Sequence, residues 1–229
     1  MNVLGLDTST AASAACVVRA DGAAFEERPS PARLAERPAH AAELLPAAAR
    51  CLAAAGLGWR DLDAVAVGIG PGAFTGLRIG VATARALASA NGLAVHPVSS
   101  LAALAEGARE TVPAAAGRPL LALIDARRGE LFAALYAPIA LWGPVALAPA
   151  AAAERAGGCE TAPLAVGDGA LRYRDELIAD GIDVAPADSP AHAVSALAVC
   201  RLAAAAEPVA PAAVLPDYLR DPDAVARPG

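Results

Sequence analysis

With 229 residues, a formal net charge of −6, 56% hydrophobic residues and only 3% aromatic ones, the chain has material for one large α/β domain or two small ones sharing an interface. The acidic balance excludes a surface that grips nucleic acid unaided, because non-specific affinity comes from cations that displace phosphate counterions. Alanine dominates the apolar fraction and arginine supplies every fixed cation, since the sequence has no lysine.

In chain order, Val3 to Leu6 reads as a buried strand ending at Asp7. Ser13 to Ala20 and Ala23 to Arg28 follow as strands joined through Asp21-Gly22, making a three-stranded meander. Pro29 to Pro38 is a charged, proline-punctuated loop. His40 to Ala55 then has Leu44, Leu45, Ala48, Leu52 and Ala55 at helical spacing, with Gly56 as its stop. Ala64 to Ile69 is an apolar run suited to a strand covered on both faces. The glycine-rich turn Gly70-Pro71-Gly72-Ala73-Phe74 leads to a helix for which Thr75 is the expected N-cap and Asn91-Gly92 the stop. A strand at Ala94 to Val98 and a helix from Ser99 or Ser100 to about Gly107 complete one αβ unit.

The opening pattern then recurs. Leu121-Ala122-Leu123-Ile124-Asp125, the turn Arg127-Arg128-Gly129 and the run Glu130 to Tyr136 echo Leu4-Gly5-Leu6-Asp7 with its polar turn and strand, which implies an internal duplication. Beyond Pro138 the chain reads as an Ala/Pro-rich connection. Structure resumes at Leu164 to Val166, followed by helices over Ala170 to Ala179 and Ala191 to Ala206 and a short tail through Tyr218-Leu219-Arg220.

Little in the chain carries chemistry. The spacing fails G-x-x-x-x-G-K-[ST], which lacks its lysine, and G-x-G-x-x-G, which lacks its third glycine. There is no G-x-S-x-G elbow, and His40, His96 and His192 lie beside no recognisable nucleophile. Cys16, Cys51, Cys159 and Cys200 show no zinc spacing and read as buried free thiols. Arg127-Arg128 and Arg172/Arg174 read as solvated faces. Asp7-Thr8-Ser9-Thr10, at a strand end, fits both a phosphate and magnesium loop and a plain Asx or ST turn. Asp125 invites the same comparison, although Arg127, Arg128 and Glu130 replace the hydroxyls that would cradle phosphate. No basic leader precedes an apolar run, and prolines interrupt the least charged stretch, so a soluble cytoplasmic protein without a membrane span is expected.

Four blocks together resemble the TsaB (YeaZ) family: Leu4 to Ser9, Gly70 to Gly80, Ile124 to Glu130, and Tyr218-Leu219-Arg220. The sequence departs from that pattern at Ala73, where the family usually has serine, and after Tyr136. The resemblance implies a duplicated α/β fold of the actin-like and Hsp70-like ATPase class (ASKHA, RNase H-like). Its first subdomain would span 1–107, completed by the helix at about 191–206, its second 108–190, and its tail 207–229. It also implies a noncatalytic partner of a TsaD-like catalytic subunit, working with a TsaE-like ATPase to place threonylcarbamoyl on the tRNA adenosine beside the anticodon. The tRNA would be reached mainly through the complex, and the free chain could form a homodimer. No cofactor or metal is expected, and Asp7, Thr8, Ser9, Gly70 and Gly72 would be vestigial phosphate loops. The catalytic relative carries an H-x-x-x-H metal pair where this chain has Ser100 and Leu104. Pairing through the two helices His40 to Ala55 and Thr75 to Asn91 would put Leu45, Leu52, Arg78, Val81, Ala82 and Arg85 at the partner surface, although its apolar members fit ordinary core as well. The competing expectation is a small ATP and magnesium dependent phosphotransferase or carbamoyl-transfer enzyme of the same fold, using Asp7, Thr8 and the Gly70 loop. A protease reading finds neither a metal pair nor a nucleophile with its base.

Overall fold

A computed structural model describes residues 1–220. In the first half, β1 (Val3–Asp7), β2 (Ala14–Val18) and β3 (Ala24–Glu27) are followed by α1 (His40–Ala55), β4 (Ala64–Gly70), α2 (Phe74–Asn91) and β5 (Val95–Ser99). After α3 (Ser100–Thr111) the plan repeats. It runs through β6 (Leu120–Arg127), β7 (Glu130–Tyr136), β8 (Ala140–Leu147), α4 (Pro149–Ala156) and β9 (Leu164–Val166). Then come α5 (Asp168–Arg172), α6 (Arg174–Ala179), β10 (Asp183–Val184) and α7 (Ala196–Ala203).

The two sheets have matching topology, β3-β2-β1-β4-β5 and β8-β7-β6-β9-β10. In each, the first three strands are antiparallel and the last two run parallel to the first. The duplication read from Leu4-Gly5-Leu6-Asp7 and its echo is therefore a duplication of the whole strand order.

Period-two alternation assigns the faces. Leu4, Leu6, Val65 and Val67 pack outward against α1 and α2 in one cluster, and Leu121, Leu123, Leu131 and Leu135 pack against α4 and α6 in another. The inward residues of both sheets, among them Val3, Ala66, Leu120, Ala122 and Ile124, share a single core with α3 and α7. Those two helices thus weld the halves together. α7 is further tied to the first sheet by Glu26 of β3, whose Oε1 accepts hydrogen bonds from Ser195 Oγ (2.8 Å) and Leu197 N (3.0 Å).

Several boundaries differ from expectation, each for a local reason. The residue preceding α2 is Ala73, without a side-chain cap, so Thr75 lies inside the helix. Ser195 caps α7 by accepting from Ala198 N, and the proline-initiated 3₁₀ turn Pro190–His192 precedes it, so the helix expected over 191–206 is shorter at both ends. The helix expected over 170–179 is broken at Tyr173 into α5 and α6. The Ala/Pro-rich connection contains β8 and α4. β8 is an edge strand whose pairing shifts between Ala133 and Leu135, leaving room for Gly143 and Pro144 where a central strand would lose a ladder bond. The tail returns to the first sheet, with Val209 bridging Val95 and Asp217 N donating to Ile69 O at 2.8 Å. No helix among the described residues is long and apolar enough to cross a membrane.

Candidate functional site: two strand-end loops across a narrow cleft

Asp7 ends β1, and the loop it starts is sealed. Asp7, Thr8, Ser9 and Thr10 are all buried. Asp7 Oδ1 accepts from Ser9 N (2.8 Å) and Ser9 Oγ (2.7 Å), while Oδ2 accepts from Ser100 Oγ (2.7 Å). Burial pushes the Asp7 carboxyl above its ordinary range, against the lowering effect of the Ser9 and Ser100 hydrogen bonds. Thr8 Oγ1 donates to Gly76 O at 2.7 Å.

The glycines of the β4–α2 segment are explained by this contact. A Cβ on Gly68 would overlap the Asp7 carboxylate, one on Gly72 the Ser9 backbone, one on Gly76 the Thr8 carbonyl and one on Gly80 the Thr8 hydroxyl. Gly70, at φ 117°, holds a backbone conformation that a side chain would strain, and the bond to Pro71 is cis. Ala73 N donates to Ser9 O at 2.7 Å, fixing the first turn of α2 to the loop. Of the expected phosphate-loop residues, Ser9 and Gly72 border the cleft, whereas Asp7 and Thr8 lie behind them with their polar atoms engaged.

The second loop lies opposite. Arg127 pairs with Glu130 across the turn Arg128-Gly129, and φ is positive at 65°, 55° and 83° through residues 127, 128 and 129. Asp125 Oδ1 accepts from Arg127 N (2.9 Å), and its Oδ2 lies 3.3 Å from Arg127 Nη1 and 3.4 Å from Arg172 Nη1. A third carboxylate, not singled out by the sequence reading, completes the group: Asp168 Oδ1 accepts from Asp125 N at 3.1 Å. Burial pushes the Asp168 carboxyl up to about 6, with Asp125 adding to the rise. The available signal was Gly167-Asp168-Gly169 at the end of β9, the duplicate of Gly70-Pro71-Gly72. Gly167 has φ 107°, and its Cβ would overlap Leu123 O.

Between the loops the cleft encloses about 110 Å³, against roughly 300–1,000 Å³ for most small-molecule sites. The C-terminal segment occupies its mouth. Tyr218 stacks on Phe74 with ring centroids 4.9 Å apart, and its hydroxyl accepts from Arg78 Nε at 3.0 Å. The Arg78 guanidinium lies 3.9 Å above the Phe74 ring. Arg220 reaches Glu130 and the Ala126 carbonyl on the second half.

The residues expected at a partner surface divide into two groups. Leu45 is 46% exposed, Arg78 and Ala82 are exposed and Arg85 is half-buried, all on the outer faces of α1 and α2. Leu52 and Val81 are each only 3% exposed and belong to the core beneath those helices. They follow the inward stripes Leu44-Ala48-Cys51-Ala55 and Leu77-Ala84-Ala88, so helical phase removes both from any docking surface. Ser100 and Leu104 are fully buried, Ser100 also accepting from Gly70 N at 3.2 Å. His40 is buried, its Nδ1 is 2.9 Å from Ser13 Oγ, and burial pushes its pKa down. Among the described residues no group of three or more His, Cys, Asp or Glu is placed to hold a metal. All four cysteines are free, with Cys159 half-buried and the others buried.

The family described as TsaD, tRNA N6-adenosine threonylcarbamoyltransferase, matches residues 33–150. The TsaB protein of Haemophilus influenzae, named for tRNA threonylcarbamoyladenosine biosynthesis, is 40% identical over 133 residues, covering 58% of this chain and 52% of that one. An uncharacterised Mycobacterium leprae protein is 40% identical over 171 residues, covering 71% of this chain and 44% of its own. The chain thus spans about half the length of these curated relatives. The solved YeaZ structure from Pseudomonas aeruginosa superposes with a TM-score of 0.77 at 29% identity, over 95% of this chain and 99% of that one. The chain belongs to the TsaD-type family, in its TsaB (YeaZ) branch. The two matching sheets are the duplicated subdomains of the actin-like (ASKHA) α/β fold.

Two outcomes follow from the site. Gly80→Ala should cost about 1–3 kcal/mol through overlap with the Thr8 hydroxyl, and adding Thr8→Ala should recover part of that loss in urea unfolding. Additive losses would contradict the packing. For Asp168, a folded-state value near 6 against an ordinary 3.8 means that its stabilising contribution is full below about pH 4 and is lost as pH rises through about 6. Asp168→Asn keeps an acceptor for Asp125 N, and should be more stable than the parent by on the order of 2–3 kcal/mol at about pH 7.5 while matching it near pH 3.5. A variant less stable at both pH values would contradict the assignment.

Proposed function

We propose that the chain serves tRNA threonylcarbamoyladenosine biosynthesis as the noncatalytic partner of a TsaD-like transferase, in a complex that also takes up a TsaE-like ATPase. One observation carries the noncatalytic reading. Where the resemblance puts the catalytic relative's H-x-x-x-H pair, this chain has Ser100, whose hydroxyl is spent on Asp7 and Gly70, and Leu104, which is core. The sealed first loop and the narrow cleft support the same reading. Asp7, Thr8, Ser9, Gly70 and Gly72 then act as a structural lock inherited from a phosphate site.

Partner binding falls on the outer face of α1 and α2, through Leu45, Arg78, Ala82 and Arg85. Arg78 is pre-positioned there by Phe74 and Tyr218, which lowers the entropy lost when it is fixed in an interface. The same face would pair two copies of the free chain. With a net charge of −6 the chain reaches tRNA through the complex, and the cytoplasm is where such a complex would act.

The test uses the chain and the TsaD-like protein of its own host. Ala82→Arg and Leu45→Arg should each weaken their association at least about tenfold, with the melting temperature unchanged, as expected for interface positions near a hot spot. Unchanged affinity in both variants would remove this face from contention.

A further inference from the structure

The fixed charges of α1 and α2 are Glu43, Arg50, Arg78 and Arg85, and the chain balances only the first two. Glu43 accepts from Arg33 at 2.8 and 2.9 Å, and Arg50 donates to both oxygens of Glu27 at 2.6 and 2.7 Å. α2 carries no acidic residue. Arg78 is fixed by the Phe74 ring and the Tyr218 hydroxyl, which orient the guanidinium without cancelling its charge. Arg85 is half-buried and makes no hydrogen bond, ion pair or ring contact with any described residue. Asp217, next to Tyr218 in the chain, lines the cleft and is ion-paired to neither arginine.

The two arginines share one stripe. They are a heptad apart, so they point the same way to within about 20° and stand about 10 Å apart along the helix axis. Ala82 lies between them, exposed, and Leu45 is exposed on the neighbouring helix. A chain of net charge −6 thus keeps two cations without counterions on its outer helical face. Any surface that covers them must supply the opposite charge, because a cation desolvated without a partner weakens association.

We propose that this stripe takes an acidic helix of the partner, one that sets two carboxylates about a heptad apart against Arg78 and Arg85 and small or apolar side chains over Ala82 and Leu45. This rests on the partner face proposed above and adds what that face selects. A second copy of the chain is a poor occupant, since a two-fold interface must be complementary to itself. Antiparallel pairing about an axis near Ala82 sets Arg78 against the other copy's Arg85, and parallel pairing sets each arginine against its own duplicate. The stripe that attracts an acidic partner therefore repels itself, and salt acts on the two associations with opposite sign. Nucleic acid fits less well, because the chain is acidic and an alanine and a leucine occupy the space between and beside the cations.

The test measures two affinities of the full chain, for the TsaD-like protein of its own host and for itself, by sedimentation between about 0.05 and about 0.5 M sodium chloride. Association with the partner should weaken roughly tenfold or more across that range, whereas self-association should strengthen. Arg85→Gln should weaken partner binding about three- to tenfold at low salt and flatten its salt dependence. Arg85→Glu should weaken it further, yet promote self-association at low salt, because each Arg78 then meets a carboxylate at position 85 of the other copy. Both variants should melt with the parent, since Arg85 has no contact of these kinds to lose. Partner affinity indifferent to salt and unchanged in both variants would overturn the proposal, as would equal self-association of the parent and Arg85→Glu at low salt. Loss of partner binding in Ala82→Arg but in neither position-85 variant would keep the partner face and discard the acidic helix; no partner binding by the parent would remove the face itself. Binding of tRNA by the isolated chain that Arg85→Glu abolishes would assign the stripe to nucleic acid and likewise overturn the proposal.

Discussion

The close approach of the Asp7–Thr10 loop to the backbone of β4 and α2 is the constraint on which the rest of the molecule depends. Four glycines remove the Cβ atoms that would hold these segments apart, and the gap is closed by Thr8 on Gly76 and by Ala73 on Ser9. This fixes where α2 begins and which of its faces turns outward. It also consumes the polar atoms that a phosphate loop would offer to a ligand. Residues of the same type and at the same strand end can hold a nucleotide or hold a fold together; what separates the two outcomes here is that every Asp7 oxygen already has a protein donor.

The duplication gives the molecule an internal comparison. Both halves place an acidic residue at or near the end of the first strand and a positive-φ glycine at or just past the end of the fourth, yet they resolve the resulting charge differently. In the first half, neutral hydroxyls from Ser9 and Ser100 satisfy Asp7. In the second, Arg127 and Arg172 approach Asp125, while Asp168 takes its backbone N–H and sits half-buried with its carboxyl raised. The second loop is therefore charged and strained at its hairpin where the first is neutral and packed. Arg220 and Tyr218 bridge the difference, one anchored on each half, so the C-terminal segment keeps the cleft narrow.

Much of the first half was legible because its strands are continuous apolar runs and its helices end in glycines at φ 69° and 67°. The strand-end aspartates and the repeat were visible for the same reason. Alanine defeated the reading elsewhere, since it marks neither the inside nor the outside of a helix with conviction. The connection after Pro138 hid an edge strand and a helix whose buried residues are Pro149 and alanines. Val81 and Leu52 were placed at the partner surface along with Arg78 and Leu45, although helical phase puts the first pair inward and the second outward. Asp168 escaped notice because its environment, a part-buried contact with the backbone of a residue 43 positions earlier, exists only after folding.

In the function proposed above, the chain acts within tRNA threonylcarbamoyladenosine synthesis without performing the transfer itself. The most direct measurement is mass-spectrometric quantitation of that nucleoside in tRNA after depletion of the chain from its host, with the parent and a chain carrying Asp7→Asn supplied back separately. The modification should fall on depletion and be restored by both, since an asparagine can preserve much of the lock while removing the carboxylate a catalytic role would require. An unchanged level on depletion would contradict the assignment to this modification. Restoration by the parent alone, with Asp7→Asn folded and still bound to its partner, would contradict the noncatalytic role.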